Sequence, residues 1–246
     1  MPSALEWQIA TVEGIRAETA ETKSFSLALP RWTAHQPGQH YDLRLTAPDG
    51  YQTERSYSVA SEPEREGKIE LTVERIADGE VSPYMHDVVV PGDQLEVRGP
   101  VGGYFVWNVA LGGPLMLIGG GSGVVPLMAM LRHRAAKRSA IPARLLYSSR
   151  TLEDVIYKND LAEMGRRDPE LDVTFTFTRQ APENWTGYHR RIDAAMLQQV
   201  MGPLGDGLRA YVCGPTLLVE SVANALVQMG IPAERIRTER FGPTGK

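Results

Sequence analysis

The sequence predicts two domains in tandem, an antiparallel β-barrel over residues 1–110 and an α/β domain with a parallel sheet over 111–246. Three observations predict it. Short runs of alternating polar and apolar residues, punctuated by Gly and Pro, fill the first part. From Pro114 the rhythm becomes strand then helix, the pattern of a parallel sheet covered on both faces. Between the two lies Leu115-Met116-Leu117-Ile118 running into Gly119-Gly120-Gly121-Ser122-Gly123-Val124-Val125-Pro126, which reads as a buried strand, a tight turn and a helix start.

Taken in order, barrel strands are expected at Trp7–Val12, Ser24–Leu29, Tyr41–Thr46, Ser56–Ala60, Ile69–Arg75 and Gln94–Val97, with turns at Pro37-Gly38, Pro48-Asp49-Gly50, Pro91-Gly92-Asp93 and Gly99-Pro100. Six short strands with such turns suggest a small closed barrel. One helix interrupts them, with Ser82 as its expected N-cap and Pro83 at the first helical position. The preceding Gly79-Glu80-Val81-Ser82 turn offers free amides to an anion. After a boundary near Val109–Gly113, the α/β part is expected to run through a strand at Ala143–Tyr147, a helix near Leu152–Met164 and a strand at Leu171–Thr178. A helix at Asp193–Met201, a strand at Leu208–Cys213, a helix at Thr216–Met229 and a strand at Ile236–Glu239 complete it.

The glycine turn carries the chemistry. Glycines allow the backbone to turn sharply and approach a ligand, and free amides at the positive end of a helix dipole favour phosphate. The pattern Gly121-x-Gly123-x-x-Pro126 departs from the dinucleotide fingerprint, which ends in Gly or Ala, although proline is tolerated in a first helical turn.

Composition narrows the function further. At 246 residues and 42% hydrophobic the chain can build two ordinary cores. No window has the apolar length of a membrane helix and the first residues lack a basic segment followed by an apolar core, so a soluble cytoplasmic protein is expected. Cys213 is the sole cysteine, which excludes a cluster on four thiolates or a cysteine zinc site within one chain, and the five histidines lack metal-ligand spacing. Neither a bound metal nor a nucleic-acid partner is expected. Residues 1–110 hold 9 Lys/Arg against 17 Asp/Glu, a net −8; residues 111–246 hold 17 against 13, a net +4. The half with the glycine turn is thus the cationic one, as a polyanionic ligand favours.

Arg55-Ser56-Tyr57-Ser58 on a barrel strand completes a pattern. A barrel with Arg-x-Tyr-Ser and then Gly-x-x-Ser, followed by an α/β domain with Gly-x-Gly-x-x-Pro and Cys-Gly-Pro, resembles the ferredoxin–NADP reductase superfamily of flavoproteins. Within it the chain is most similar to the flavin/NAD(P)H modules of bacterial oxygenase reductases. The resemblance runs from about Trp7 to Phe241 and implies a six-stranded Greek-key barrel that binds flavin ahead of a nucleotide-binding α/β domain.

It also implies roles. Arg55 pairs with the flavin pyrophosphate, as a planar guanidinium suits a diphosphate; Tyr57 lies against the isoalloxazine, and the hydroxyl of Ser58 bonds near N5, with Ser56 between them. Gly79, Val81 and Ser82 hold pyrophosphate at the short helix, Val73 lines the flavin with backbone, and Arg75 has a minor part. Two phosphates facing Arg55 and a helix start favour FAD, while an FMN-binding branch keeps FMN open. Gly119, Gly121, Gly123 and Val124 hold the nicotinamide dinucleotide. Cys213-Gly214-Pro215 lies below the nicotinamide, Cys213 serving as a wall and not as a nucleophile because no histidine is adjacent. Glu239 is a proton relay, and with Ser58 and Cys213 it makes up the expected catalytic group. Phe241 matches an aromatic over the flavin face, although the chain runs on through Gly242-Pro243-Thr244-Gly245-Lys246.

A NAD site places Asp or Glu about 20 residues beyond the glycines. Here the strand ends Tyr147-Ser148-Ser149-Arg150, and Ser149 and Arg150, with Arg179 ending the next strand, suit a 2′-phosphate, so NADPH is expected over NADH. The expected activity is hydride transfer from NADPH to FAD and single-electron delivery to a separate acceptor, first a ferredoxin-like protein, otherwise free flavin, a quinone or a metal chelate. A nucleotide-sensing module without catalysis is the rival reading. Arg132, Arg134, Lys137, Arg190, Arg191, Arg237 and Arg240 are the candidate contacts for an acidic ferredoxin.

Overall fold

A computed structural model describes residues 5–202, 204–205 and 207–241. Six strands, β1 (Gln8–Thr19), β2 (Thr22–Ala28), β3 (His40–Thr46), β4 (Gln52–Ser58), β5 (Lys68–Glu74) and β6 (Gln94–Val101), form one antiparallel sheet in the order β4-β3-β6-β1-β2-β5. A bridge between Val59 and Leu71 brings the two edges together and closes the barrel. Inward positions such as Phe25, Leu27, Leu43, Ile69, Leu71 and Val97 are fully buried, the period-two alternation that marked these strands. β1 is longer than the expected Trp7–Val12 because it continues past a bulge at Val12/Gly14 to pair with β2 as far as Thr19.

The helix α1 (Val81–Asp87) follows β5, but Ser82 is not its N-cap. Glu80 holds that position without a side-chain bond, while Ser82 Oγ accepts from the amide of Ile76 at 3.0 Å and so closes the preceding loop. A hydroxyl one residue inside the helix found a nearer donor than the helix amides.

The second sheet comprises β7 (Leu115–Gly120), β8 (Ala143–Ser149), β9 (Leu171–Phe177), β10 (Arg209–Gly214) and β11 (Ile236–Arg240), all parallel in the order β11-β10-β7-β8-β9. Alternate residues of β7 feed two cores. Leu115 and Leu117 pack under α2 (Val124–Ala136) and α3 (Lys158–Arg167), whereas Met116 and Ile118 face α4 (Ala194–Met201) and α5 (Thr216–Gln228). α4 is capped by Asp193, which accepts from Met196 N at 2.8 Å.

α3 starts at Lys158, six residues later than expected. Residues 152–157 are drawn instead into the seam with the barrel, where Val155, Ile156 and Tyr157 are buried and Tyr157 takes the left-handed conformation (φ 59°). The Tyr157 hydroxyl donates to Thr72 of β5, a barrel residue. Arg132 of α2 bonds Glu70 of β5 at 2.6 Å and Asp160 of α3 at 2.9 Å, and Asp160 also takes Arg16 of β1 at 3.2 Å. A continuous polar seam therefore fixes the barrel to the α/β part. No helix of the described residues is long and apolar enough to cross a membrane.

Candidate functional site

The strand order has one switch point. From β7 the chain moves outward through β8 to β9, then returns to the other side of β7 as β10, so the crevice outside the carboxyl ends of β7 and β10 is where an open α/β sheet takes its ligand. Those ends are Gly119–Gly123 and Cys213-Gly214. They touch: a Cβ on Gly123 would lie 2.1 Å from the carbonyl oxygen of Cys213, so only glycine permits this approach. Gly121 turns with φ +55° and has open space where a Cβ would be, leaving room over the turn for a ligand. A 3-10 turn, Gly121–Gly123, leads directly into α2 with no side-chain cap on its first amides. Val124 and Pro126 are buried in the first turn of α2.

The cofactor-side residues gather at the strand ends. Ser149 ends β8, and its hydroxyl is buried without a hydrogen-bond partner. Arg150 follows it, exposed, and its carbonyl accepts from the amides of Arg179 and Gln180 at 3.0 and 3.1 Å, tying the ends of β8 and β9 together. Neither Arg150 nor Arg179 has an acidic partner among the described residues. An orphaned buried hydroxyl beside two uncommitted guanidinium groups fits a phosphorylated nucleotide.

Cys213 sits in register between Gly119 of β7 and Glu239 of β11. It is fully buried, and burial, reinforced by Glu239, pushes its thiol well above the ordinary range. Its Sγ donates to Glu239 Oε2 at 3.8 Å. Burial likewise raises the Glu239 carboxyl, with the thiol bond opposing. Pro215 is the residue before α5, and the Phe241 amide donates to Gly214 O at 3.3 Å, which brings Phe241 beside the same turn. Residues 242–246, over which the chain was expected to run on past Phe241, lie outside the described residues.

Glu239 and Thr238 face the barrel across a cleft of about 120 Å³ whose other wall is Gly38, His40, Tyr104 and Phe105. His40 pairs in register with Ser58, so the last residue of Arg55-Ser56-Tyr57-Ser58 lies beside a residue that lines this cleft. Gly38 (φ +99°) cannot be replaced, since its Cβ would lie 1.8 Å from Phe105 O. Tyr57 is half-buried and desolvation pushes its phenol up to about 12, so it stays neutral. Arg55 is exposed; its Nη1 donates to Glu54 O at 2.7 Å and meets no acid. This donor set fits the flavin pyrophosphate and ring expected there.

Other expected residues are committed within the protein. Ser56 Oγ donates to Asp42 Oδ1 at 2.7 Å, beside Arg98. Arg75 Nη2 pairs with Asp87 at 2.9 Å. Val73 is fully buried, and its carbonyl accepts a hydrogen bond from His86 Nε2 at 2.8 Å. Val81, the first residue of α1, is buried, and the Gly79 amide closes the loop by donating to Ile76 O at 2.9 Å. Gly38 and His40, which line the cleft, were missed, since Pro37-Gly38 reads as a bare turn. A larger groove of about 360 Å³ lies near the amino ends of β8 and β9, where Arg144 and Asp172 neutralise one another at 2.9 Å. It brings together none of the expected residues.

Two family models match the chain. Residues 10–106 match the oxidoreductase FAD-binding domain, and residues 117–224 match the oxidoreductase NAD-binding domain. The reductase subunit of glycine betaine monooxygenase from Chromohalobacter salexigens is 32% identical over 211 residues, covering 85% of this chain and 56% of that protein. The chain thus spans about half the length of that relative. Ferredoxin–NADP reductase B of Sorangium cellulosum is 29% identical over 223 residues, covering 89% of this chain and 90% of that protein. The FAD/NAD-binding domain of nitric oxide dioxygenase from Vibrio cholerae superposes with a TM-score of 0.86 at 23% identity over 96% of this chain and 99% of that one, a likeness of fold.

Proposed function

This chain belongs to the ferredoxin–NADP reductase superfamily of FAD- and NAD-binding oxidoreductases, and from that premise we propose that it transfers reducing equivalents from NADPH to a separate iron–sulfur protein of ferredoxin type in the cytoplasm. The observation that carries the reading is the switch point, where the glycine turn, Cys213 and Glu239 converge opposite the barrel cleft. Bound FAD supplies the adapter between a two-electron hydride donor and one-electron acceptors. One NADPH reduces two acceptor molecules and releases one proton.

The chain's own residues do the rest. In the flavin-binding unit, residues 1–110, Arg55 clamps pyrophosphate, Tyr57 packs on the ring and Ser58 bonds at N5. In the nucleotide-binding unit, residues 111–246, Gly119–Val124 cradles the dinucleotide phosphates, Ser149, Arg150 and Arg179 take the 2′-phosphate, and Cys213 walls the nicotinamide. The raised carboxyl of Glu239, bordering the cleft, holds and returns the proton. Support for a protein acceptor comes from the two relatives, one a monooxygenase reductase subunit and the other a ferredoxin–NADP reductase.

The test is spectroscopic. The purified protein is expected to be yellow, to take up FAD after stripping, and to bleach anaerobically on addition of NADPH. A protein that neither carries nor takes up flavin would leave the sensing-module reading in its place.

A further inference from the structure

Glu74, the last residue of β5, reaches from the barrel to the glycine turn of the other domain. Ser122 Oγ donates to Glu74 Oε2 at 2.6 Å. Among the described residues Glu74 has no ion-pair partner, although its neighbours on the seam, Glu70 and Asp160, both do. A carboxylate without a cation, bonded to Ser122 within the glycine turn that leads into α2, puts its own charge beside the place where the helix dipole draws an anion.

We propose that Glu74 is an intramolecular competitor for the dinucleotide phosphate: it holds Ser122 and the turn in the empty enzyme and must yield when the phosphate arrives, so it sets nucleotide affinity below what the turn alone provides. The inference rests on the turn being the dinucleotide site, as proposed above. It goes beyond that reading because Glu74 contributes no attractive contact to the nucleotide. Its effect is a subtraction. Two unit charges about 5 Å apart at the surface change an equilibrium by several-fold even in a water-like medium.

A simple clamp between the domains would look the same in the structure but behave differently. Glutamine still accepts from the Ser122 hydroxyl, so Glu74→Gln keeps the clamp and removes the charge. The experiment is calorimetric titration of the flavin-loaded protein with NADP⁺, NAD⁺ and uncharged adenosine, for the wild type, Glu74→Gln and Glu74→Ala, with thermal melting to verify folding. Both variants are expected to bind the two dinucleotides roughly three- to tenfold more tightly at low salt, with adenosine unchanged. Wild-type or weaker dinucleotide affinity in both variants overturns the inference and leaves the site intact. A gain that extends equally to adenosine also overturns it, since charge is then not the cause. Failure of the wild type to bind either dinucleotide overturns the assignment of the turn itself, and the inference with it.

Discussion

Arg150 and Arg179 stand side by side because two adjacent parallel strands end in step, with the Arg150 carbonyl taking both the Arg179 and Gln180 amides. A pair of exposed guanidinium groups with no acid nearby is poorly employed unless an anion visits. The 2′-phosphate is the charge that distinguishes NADPH from NADH, so Arg150→Ala should lower kcat/KM for NADPH by roughly ten- to a hundredfold, the loss of a charge-assisted contact of about 1.5–3 kcal/mol. Efficiency with NADH should barely move. Steady-state rates with both nucleotides check this, and equal losses would show that Arg150 does not read the phosphate. Cys213 is fully buried, and burial with Glu239 beside it raises its thiol above the ordinary range, which disfavours the thiolate that a nucleophile needs.

At the scale of elements, α2 explains both what the sequence revealed and what it concealed. Every residue from Val124 to Leu131 is buried, since the helix lies between its own sheet and the barrel residues Ala60, Phe105 and Trp107. A helix covered on two sides has no single apolar stripe, which is why its existence was legible from the strand and glycines before it more than from its periodicity. Barrel strands such as β1 and β2 declared themselves by period-two alternation, and β7, buried on both faces, by an unbroken apolar run that ends in glycines. The start of α3 did not: Val155-Ile156-Tyr157 is apolar enough for a helix, but the barrel claims it. Ser82 was misread for a similar reason, its donor lying in a loop whose path the sequence does not state. The seam itself yields a prediction. Arg132 is the side chain shared by Glu70, Asp160 and the Ala60 carbonyl, so Arg132→Ala leaves Glu70, itself 9% exposed, without its cation. The cost should be about 3 kcal/mol in chemical denaturation, and Arg132→Met with Glu70→Leu should recover much of it, because an apolar pair replaces a buried ionic one at little loss. An unchanged midpoint in Arg132→Ala would show that the two domains are held by packing alone.

For the whole molecule, net charge is a coarse guide to where the proposed acidic acceptor would dock. The α/β half carries the positive excess, but most of the cations counted for docking are already spent. Arg132 is bound in the seam, and Arg134 is buried and bonded to Asp168. Lys137 pairs with Glu64 at 3.0 Å, Arg190 with Asp193 at 2.8 Å and Arg240 with Glu220 at 2.7 Å. Arg191 and Arg237 remain without an acidic partner among the described residues. Of these, Arg237 is on β11 next to Thr238 and Glu239, and its guanidinium lies 4.8 Å from the centre of the Tyr104 ring at the mouth of the barrel cleft. Tyr104 is 57% exposed, which gives this mouth an aromatic and a cation facing outward together. An acidic iron–sulfur partner seated there would lie beside the cleft between the barrel and β11. Arg237→Glu should therefore raise the KM for such an acceptor several-fold at low ionic strength, and the difference from wild type should shrink above about 0.1 M salt, where the screening length falls to roughly 10 Å. Reduction of a neutral dye should be the same in both proteins at every salt concentration. A stopped-flow salt series with the two acceptors separates the possibilities, because a defect shared by the dye would place the fault in the cleft, and identical flat profiles would move the docking surface away from β11.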